Sequence, residues 1–129
     1  MGYIYGIFTK DKDCLYIGST NNYIKRFKQH RDALNKGKHT NKTLQKEWDK
    51  YVCLSDEHDA DYYLEFVVIR ELETDNTLIK FMLESLYNSI YKPRCNKCII
   101  QQGRNRVILQ RCNKDIAEKL INYSKEIGL

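Results

Sequence analysis

The sequence has no long apolar segment and no recognisable secretion signal. None of its apolar runs approaches the roughly 18 residues that a membrane-spanning helix needs. The first ten residues, Met1 to Lys10, lack the basic region and the following apolar region of a secretory leader. We therefore expect a soluble, intracellular protein, cytoplasmic or nuclear, that has no membrane partner.

Cysteine is present in an odd number, and its five copies are scattered along the chain. Without a secretion signal, free thiols are expected rather than a disulfide framework. Cys95 and Cys98 have the spacing of a zinc site and Cys112 follows them, but three cysteines are one ligand short of a structural zinc centre. The sequence does not favour zinc, although it leaves that alternative open.

The net charge of +5 is distributed unevenly along the chain. Residues 20–50 hold nine Lys and Arg against three acids, and residues 93–129 hold eight against three. Residues 51–92 reverse the balance, with nine acids against three bases. A polyanion such as a nucleic acid could contact the first and last of these segments. The same pattern also fits an ordinary mixed-charge surface.

A chain of 129 residues with 42% hydrophobic residues has the size and balance of one globular domain. Its apolar pattern predicts the element order β, β, α, α, β, α and then a C-terminal helix. The strands are predicted at 3–9, 14–18 and 62–72, and the helices at 23–35, 41–51, 77–89 and 113–126. Between the last two helices, 103–106 is a predicted basic turn and 107–109 at best a short strand. The fold class is α/β, a small three-stranded antiparallel sheet flanked by helices with a C-terminal helical extension.

Two short motifs lie on the two strands of the first predicted hairpin. Tyr3-Ile4-Tyr5 is followed, eight residues later, by Cys14-Leu15 and then Tyr16-Ile17-Gly18. This pair resembles the motif of the GIY-YIG endonuclease superfamily, with Tyr3 in place of the first glycine. The resemblance covers about residues 3–96.

The resemblance implies a nuclease domain over residues 1–96 and a basic C-terminal extension over 97–129. In that extension Ile116, Leu120 and Tyr123 recur at helical spacing, and Ile127 continues the stripe. A short amphipathic helix is only marginally stable by itself, so we expect this stripe to dock. It packs either on the same domain or on a second copy of the chain, which would make a homodimer.

The resemblance also implies a set of catalytic residues. Tyr5 would be the general base for an attacking water, aided by Tyr16 and His30, and Arg26 would stabilise charge on the phosphate. Tyr5 and Tyr16 lie on paired strands, so both hydroxyls can reach one site. Arg26 and His30 are four residues apart and share a helix face, where the histidine can hydrogen-bond the water. An unperturbed tyrosine pKa near 10 is too high for a base at neutral pH, so the charges of a metal and Arg26 must lower it, or a water must carry the proton.

Glu84 interrupts an apolar stretch of the third helix, Phe81-Met82-Leu83 before it and Leu86-Tyr87 just after it. A buried carboxylate is rarely left unpaired, and hard cations prefer oxygen ligands. Beside the other residues of the resemblance, Glu84 is the expected ligand of one Mg²⁺ or Mn²⁺ ion per active site. A salt bridge or a glutamate on the helix surface is the alternative.

The implied function is metal-dependent hydrolysis of DNA phosphodiester bonds. An inactive DNA-binding module and an α/β protein-interaction domain are the alternatives. Gly18 would let a DNA backbone approach closely, or it would simply end the strand. The residues expected to contact DNA are Gly18, Ser19, Lys25, Lys28, His39, Asn96, Arg104 and Arg106.

Overall fold

The fold is built on an antiparallel sheet of three strands in the order β2-β1-β3. The strands are β1 (Gly2–Thr9), β2 (Cys14–Thr20) and β3 (Leu64–Leu72). The computed structural model describes residues 1–52, 64–74, 76–95, 99–102, 105–108 and 113–128, and for 51–52, 99–102 and 105–108 it describes the backbone alone. The predicted three-stranded antiparallel sheet is confirmed.

Four helices occupy the predicted positions: α1 (Tyr23–Asn35), α2 (Lys42–Val52), α3 (Thr77–Tyr91) and α4 (Lys114–Glu126). An asparagine precedes each helix, and its side-chain oxygen accepts hydrogen bonds from backbone N–H groups of the first turn. These groups have no partner inside the helix, so the cap fixes where each helix begins. At its other end α3 stops at Lys92, which has a φ of +47° and is followed by Pro93.

Two strands that form a second sheet follow α3 and precede α4 in the sequence. Strand β4 (Ile99–Gln102) pairs antiparallel with β5 (Asn105–Ile108). The sequence predicted a basic turn over 103–106 and at best one short strand at 107–109. Strand β5 includes residues 107 and 108 but begins earlier, inside the predicted turn, and β4 was not predicted. The two four-residue strands pair with each other. Neither has a clear alternation of apolar and polar residues, which is the signal by which a strand is predicted.

The sheet separates two clusters of buried side chains because successive residues of a strand point to opposite faces. Tyr5 and Ile7 of β1 belong to one cluster, which helices α1 and α2 cover with residues such as Leu34 and Trp48. Ile4 of the same strand belongs to the other cluster, together with Leu83 of α3, Ile121 of α4 and others. Every described helix therefore contributes to the core.

Helix α4 packs on α3, but not with the predicted face. The expected stripe of Ile116, Leu120, Tyr123 and Ile127 is 46–59% exposed. The buried face is instead Ala117, Ile121 and Ser124. Small residues let the two helices approach closely, and Arg70 Nη1 of β3 donates a hydrogen bond to Ser124 Oγ at 2.7 Å. The expectation that the apolar stripe docks on the same domain is wrong, and the division of the chain at residue 96 stays a prediction.

None of the described helices is both long enough and apolar enough to span a membrane.

Candidate active site

The β1–β2 hairpin brings two tyrosines to one face of the sheet. Tyr5 lies opposite Gly18 and Ile7 lies opposite Tyr16, so the two tyrosines are diagonal neighbours on that face. Their ring centroids are 6.1 Å apart. Tyr5 is fully buried and Tyr16 is half-buried. The sequence spacing predicted that the hydroxyls of Tyr5 and Tyr16 reach one site, and the strand register brings the two side chains together.

Gly18 makes room for these tyrosines. A Cβ atom at Gly18 would lie 2.6 Å from Tyr5 Oη and 2.9 Å from Tyr16 Cε1, closer than packed atoms can approach. Gly18 is itself buried in the middle of β2. The tyrosine side chains fill the space that a Cβ atom at this position would need, and the expected DNA contact at Gly18 stays a prediction.

Arg26 approaches the tyrosines from α1. Its Nε donates a hydrogen bond to Tyr5 Oη at 3.3 Å, and its Nη1 donates to Gln29 Oε1 at 3.4 Å. Arg26 also lines an open groove of about 420 Å³, which it shares with Ser19, Thr20, Asn21, Asn22, Lys25 and Gln29. The half-buried guanidinium thus connects the buried tyrosines to a cavity that a substrate could enter.

The pKa of Tyr5 is raised above its ordinary value. Burial is the main cause, the neighbouring Tyr16 adds to it, and the charge and hydrogen bond of Arg26 act in the opposite direction. Burial likewise raises the pKa of Tyr16. Arg26 was expected to lower the pKa of Tyr5. It does act in that direction, but the effect of burial is larger.

His30 lies beneath Tyr5 and is 3% exposed. Its Nε2 is 2.8 Å from Tyr5 Oη, and its Nδ1 is 2.7 Å from His39 Nε2. Burial, followed by the charge of Arg26, lowers the pKa of His30 to about 3, so the ring is neutral. The sequence had suggested that His30 hydrogen-bonds the attacking water. Because both of its ring nitrogens have protein partners, His30 is not placed to do so directly.

His39 is 5% exposed and lies edge to edge with His30, with ring centroids 5.0 Å apart and an angle of 10° between the planes. His39 nevertheless lines an open groove of about 230 Å³ together with Arg26 and Gln29, so the expected DNA contact stays a prediction. Burial lowers the pKa of His39. His39 Nδ1 accepts a hydrogen bond from the backbone N–H of Asn41 at 2.9 Å. The backbone N–H of His39 donates to Gln45 Oε1 at 3.1 Å. Sequence reasoning found Asn41 only as the start of a helix and did not single out Gln45.

Glu84 lies on α3 and is 7% exposed. Ser19 Oγ donates to its Oε2 at 3.3 Å, which places the carboxylate beside the groove that Ser19 lines. Burial raises the pKa of Glu84 to about 7, although Ser19 and Arg26 both act to lower it. The burial excludes the helix-surface alternative. Among the described residues, the ion pairs join Lys12 to Glu65 and Glu47 to Lys50 and Arg94, and none involves Glu84.

The donor set around Glu84 fits one hard cation. A buried carboxylate with a long hydrogen bond from one hydroxyl has unused oxygen lone pairs. Mg²⁺ commonly binds through one or two carboxylates and keeps several waters for substrate oxygens to replace. Groups of three or more His, Cys, Asp or Glu that could hold a metal are absent from the described residues. Within the described part of the chain, a cation at Glu84 would therefore be held by few protein ligands.

The remaining expected DNA contacts divide into two groups. Lys25 and Lys28 are exposed on α1, and Ser19 is half-buried at the groove. Asn96, Arg104 and the side chain of Arg106 lie outside the described residues, as do Cys98 and Cys112 of the zinc alternative. Of the other cysteines, Cys14 and Cys95 are free thiols, as expected.

Residues that sequence reasoning missed also line or support the groove. Asn21, Asn22 and Gln29 line it, and the buried Lys80 of α3 donates from Nζ to Asn21 Oδ1. Lys80 lies one helical turn before Glu84. That spacing is the signal by which Lys80 could have been found.

Residues 1–79 match the GIY-YIG catalytic domain family. No curated protein matches the chain, and no solved structure does. The match includes Tyr5, Tyr16, Arg26 and His30 but ends five residues before Glu84, which joins them through its contact with Ser19. Since the match extends over 79 of 129 residues and the buried tyrosines, arginine and histidine lie within it, the chain belongs to the GIY-YIG family of nuclease domains.

Proposed function

We propose that this domain hydrolyses DNA phosphodiester bonds with the help of one divalent cation, Mg²⁺ or Mn²⁺. The observation that carries the proposal is the buried Glu84 carboxylate, which Ser19 holds beside the groove lined by Arg26. A buried acid with a perturbed pKa next to a cationic side chain in a cleft is typical of a catalytic site.

Arg26 is the proposed phosphate ligand. Its guanidinium uses Nε on Tyr5 and Nη1 on Gln29, which leaves further N–H groups for a phosphate oxygen. Such donors stabilise charge that develops on the phosphate during cleavage. Exposed Lys25 and Lys28 on the same helix would contact the DNA backbone on either side.

Glu84 is the proposed metal ligand, with Ser19 orienting its carboxylate. When bound, the cation supplies positive charge to a phosphate oxygen and to the leaving 3′ oxygen. The raised pKa of Glu84, about 7, means that the carboxyl ionises within the neutral range and can then bind a cation.

Tyr5 is the proposed general base, aided by Tyr16. Since burial raises its pKa, Tyr5 is a neutral phenol in the free protein. It can accept a proton from the attacking water only after giving up its own. Arg26 Nε donates to its oxygen, and such a donor stabilises the phenolate form.

The test of the metal-ligand role is a plasmid-nicking assay, run with Mg²⁺ and with EDTA. Glu84→Gln should lower the cleavage rate by roughly a hundredfold or more, because it removes the sole protein carboxylate proposed to hold the metal. DNA binding should be retained. Glu73→Gln, at an exposed glutamate just after β3, is the matched control and should cleave like the parent chain. Near-parental cleavage by Glu84→Gln at saturating Mg²⁺ would contradict the metal-ligand role.

The same assay separates the alternative functions. DNA binding by the parent chain without metal-dependent nicking would point to an inactive binding module. Neither binding nor nicking would point to a protein-interaction domain.

Tyr5→Phe tests the general base. The change keeps the aromatic ring in the core and removes only the hydroxyl, so we expect a folded protein that cleaves roughly a hundredfold or more slowly. Tyr123→Phe, on the exposed side of α4, is the control and should leave the rate unchanged. If Tyr5→Phe cleaves at the parental rate, another group takes the proton.

A further inference from the structure

The two buried histidines form a hydrogen-bond chain whose direction follows from a single backbone group. The Asn41 N–H lies 2.9 Å from His39 Nδ1. A backbone N–H can only donate, so His39 Nδ1 accepts and carries no proton. Burial lowers the pKa of His39, so the ring is neutral at pH 7 and its single proton lies on Nε2.

The same reasoning then fixes His30. The His39 Nε2–H faces His30 Nδ1 at 2.7 Å, so His30 Nδ1 must accept. His30 is also neutral, which leaves its one proton on Nε2, 2.8 Å from Tyr5 Oη. His30 therefore donates to Tyr5, and Arg26 Nε donates to the same oxygen from 3.3 Å. The proton of the Tyr5 hydroxyl must point away from both.

The opposite direction is blocked at the far end of the chain. If Tyr5 donated to His30, each ring would have to move its proton to Nδ1. His39 Nδ1–H would then face the Asn41 N–H, and two buried donors would lie against each other without an acceptor.

The Asn41 backbone is held in place by its own side chain. Asn41 Nδ2 donates to the carbonyl of Cys95 at 2.7 Å, and Asn41 Oδ1 accepts from the first turn of α2. With both ends of this amide engaged, the backbone N–H stays directed at His39.

We propose that His39 is a positioning residue that keeps His30 as a hydrogen-bond donor to Tyr5. The histidine pair then cannot take the Tyr5 proton, which must leave toward another neighbour, and the Tyr16 hydroxyl is hydrogen-bonded to Tyr5. Two donors at the Tyr5 oxygen stabilise its phenolate form. The importance of this arrangement for catalysis rests on the proposed function, in which Tyr5 is the base. The proton positions themselves are independent of that function.

The first test measures the proton positions in the full-length parent chain labelled with ¹⁵N-histidine. Long-range ¹H–¹⁵N spectra distinguish a ring nitrogen that bears a proton from one that does not. We expect protons on Nε2 of both His30 and His39 near neutral pH. A proton on Nδ1 of either ring would overturn the inference, even if the protein cleaves DNA. Conversely, loss of the proposed nuclease function would leave this spectrum unchanged.

The second test removes the donor from His39. His39→Phe keeps an aromatic ring beside His30 but has no nitrogen, so His30 becomes able to hold its proton on Nδ1, which the spectrum would report. The cleavage rate should fall roughly 10- to 100-fold, the usual effect of losing a hydrogen bond to a charged group, with little change in KM. His39→Gln can accept from Asn41 and donate to His30, and it should recover most of the rate. A parental rate and an unchanged His30 signal in His39→Phe would contradict the proposal. If that variant does not fold, the parental spectrum decides by itself.

Discussion

At the scale of single residues, burial determines the protonation state of the site. Glu84 has a pKa of about 7 against an ordinary value of 4.5, and the largest cause is burial. The folded protein therefore binds more protons than the unfolded chain between these two values. By linkage, the Glu84 contribution to the free energy of unfolding falls as pH rises from about 4.5 to about 7 and stays low above that. The ionised carboxylate that a metal needs is thus present at a cost in stability.

This reasoning predicts that Glu84→Gln stabilises the metal-free protein in alkaline solution. An amide has nearly the same shape as the carboxyl and carries no charge. At about pH 8 the variant should exceed the parent by at most about 3 kcal/mol, and near pH 4.5 the difference should vanish. Urea denaturation in EDTA at both pH values measures it.

The difference in the free energy of unfolding between the parent and Glu84→Gln separates the contribution of Glu84 from that of the histidines. His30 and His39 have lowered pKa values, so their contribution is lost as pH falls below 6.5 in both chains alike. Addition of Mg²⁺ should raise the melting temperature of the parent at alkaline pH and leave that of Glu84→Gln unchanged. An equal stability difference at both pH values would mean that burial does not destabilise the ionised carboxylate of Glu84.

The positions of some site residues followed from the sequence, and those of others did not. Strand alternation and the four-residue helix spacing are local rules, and they correctly placed Tyr5 with Tyr16 and Arg26 with His30. The burial of Gly18 and His39 could not be predicted, because it depends on which side chains fill the space around them. Only the packing of the hairpin against α1 decides that.

At the scale of elements, helix starts were predictable and helix faces were not. An asparagine cap is a local signal, and each of the four helices has one. In α4, however, two stripes have the same helical spacing, one beginning at Ile116 and the other at Ala117. The more apolar stripe was predicted to dock. The partners on α3 and β3 instead accommodate the stripe with small residues, and Arg70 supplies a donor for Ser124.

The corrected face of α4 predicts opposite outcomes for two adjacent substitutions. Ile121 is 4% exposed and belongs to a core cluster, so Ile121→Ala should lower the free energy of unfolding by about 2–4 kcal/mol. Leu120 is 46% exposed, so Leu120→Ala should cost under about 1 kcal/mol. Chemical denaturation of both variants measures the difference. A larger loss in Leu120→Ala would mean that the exposed stripe is covered in solution, for instance by a second copy of the chain.

At the scale of the whole molecule, basic side chains lie at the groove that the candidate site opens into. Helix α1 displays Lys25 and Lys28 beside the groove. Strand β3 carries exposed Glu71, and its Glu65 pairs with Lys12 at 2.6 Å. A polyanion that enters the groove would therefore meet Arg26 and Lys25, with Lys28 exposed on the same helix.

This distribution predicts that DNA binding depends steeply on salt. If about five phosphates are neutralised, the logarithm of affinity should fall with the logarithm of salt concentration at a slope of roughly −4 to −5. Fluorescence anisotropy of a labelled duplex, titrated with the non-cleaving Glu84→Gln chain across a KCl series, measures this slope. Replacing both Lys25 and Lys28 with Gln should reduce its magnitude by about two and weaken binding equally for unrelated sequences, since phosphate contacts carry no sequence information. Lys12→Gln is the matched control, because Lys12 is exposed but already paired with Glu65. A slope near zero, or one that the double substitution leaves unchanged, would show that α1 does not face the nucleic acid.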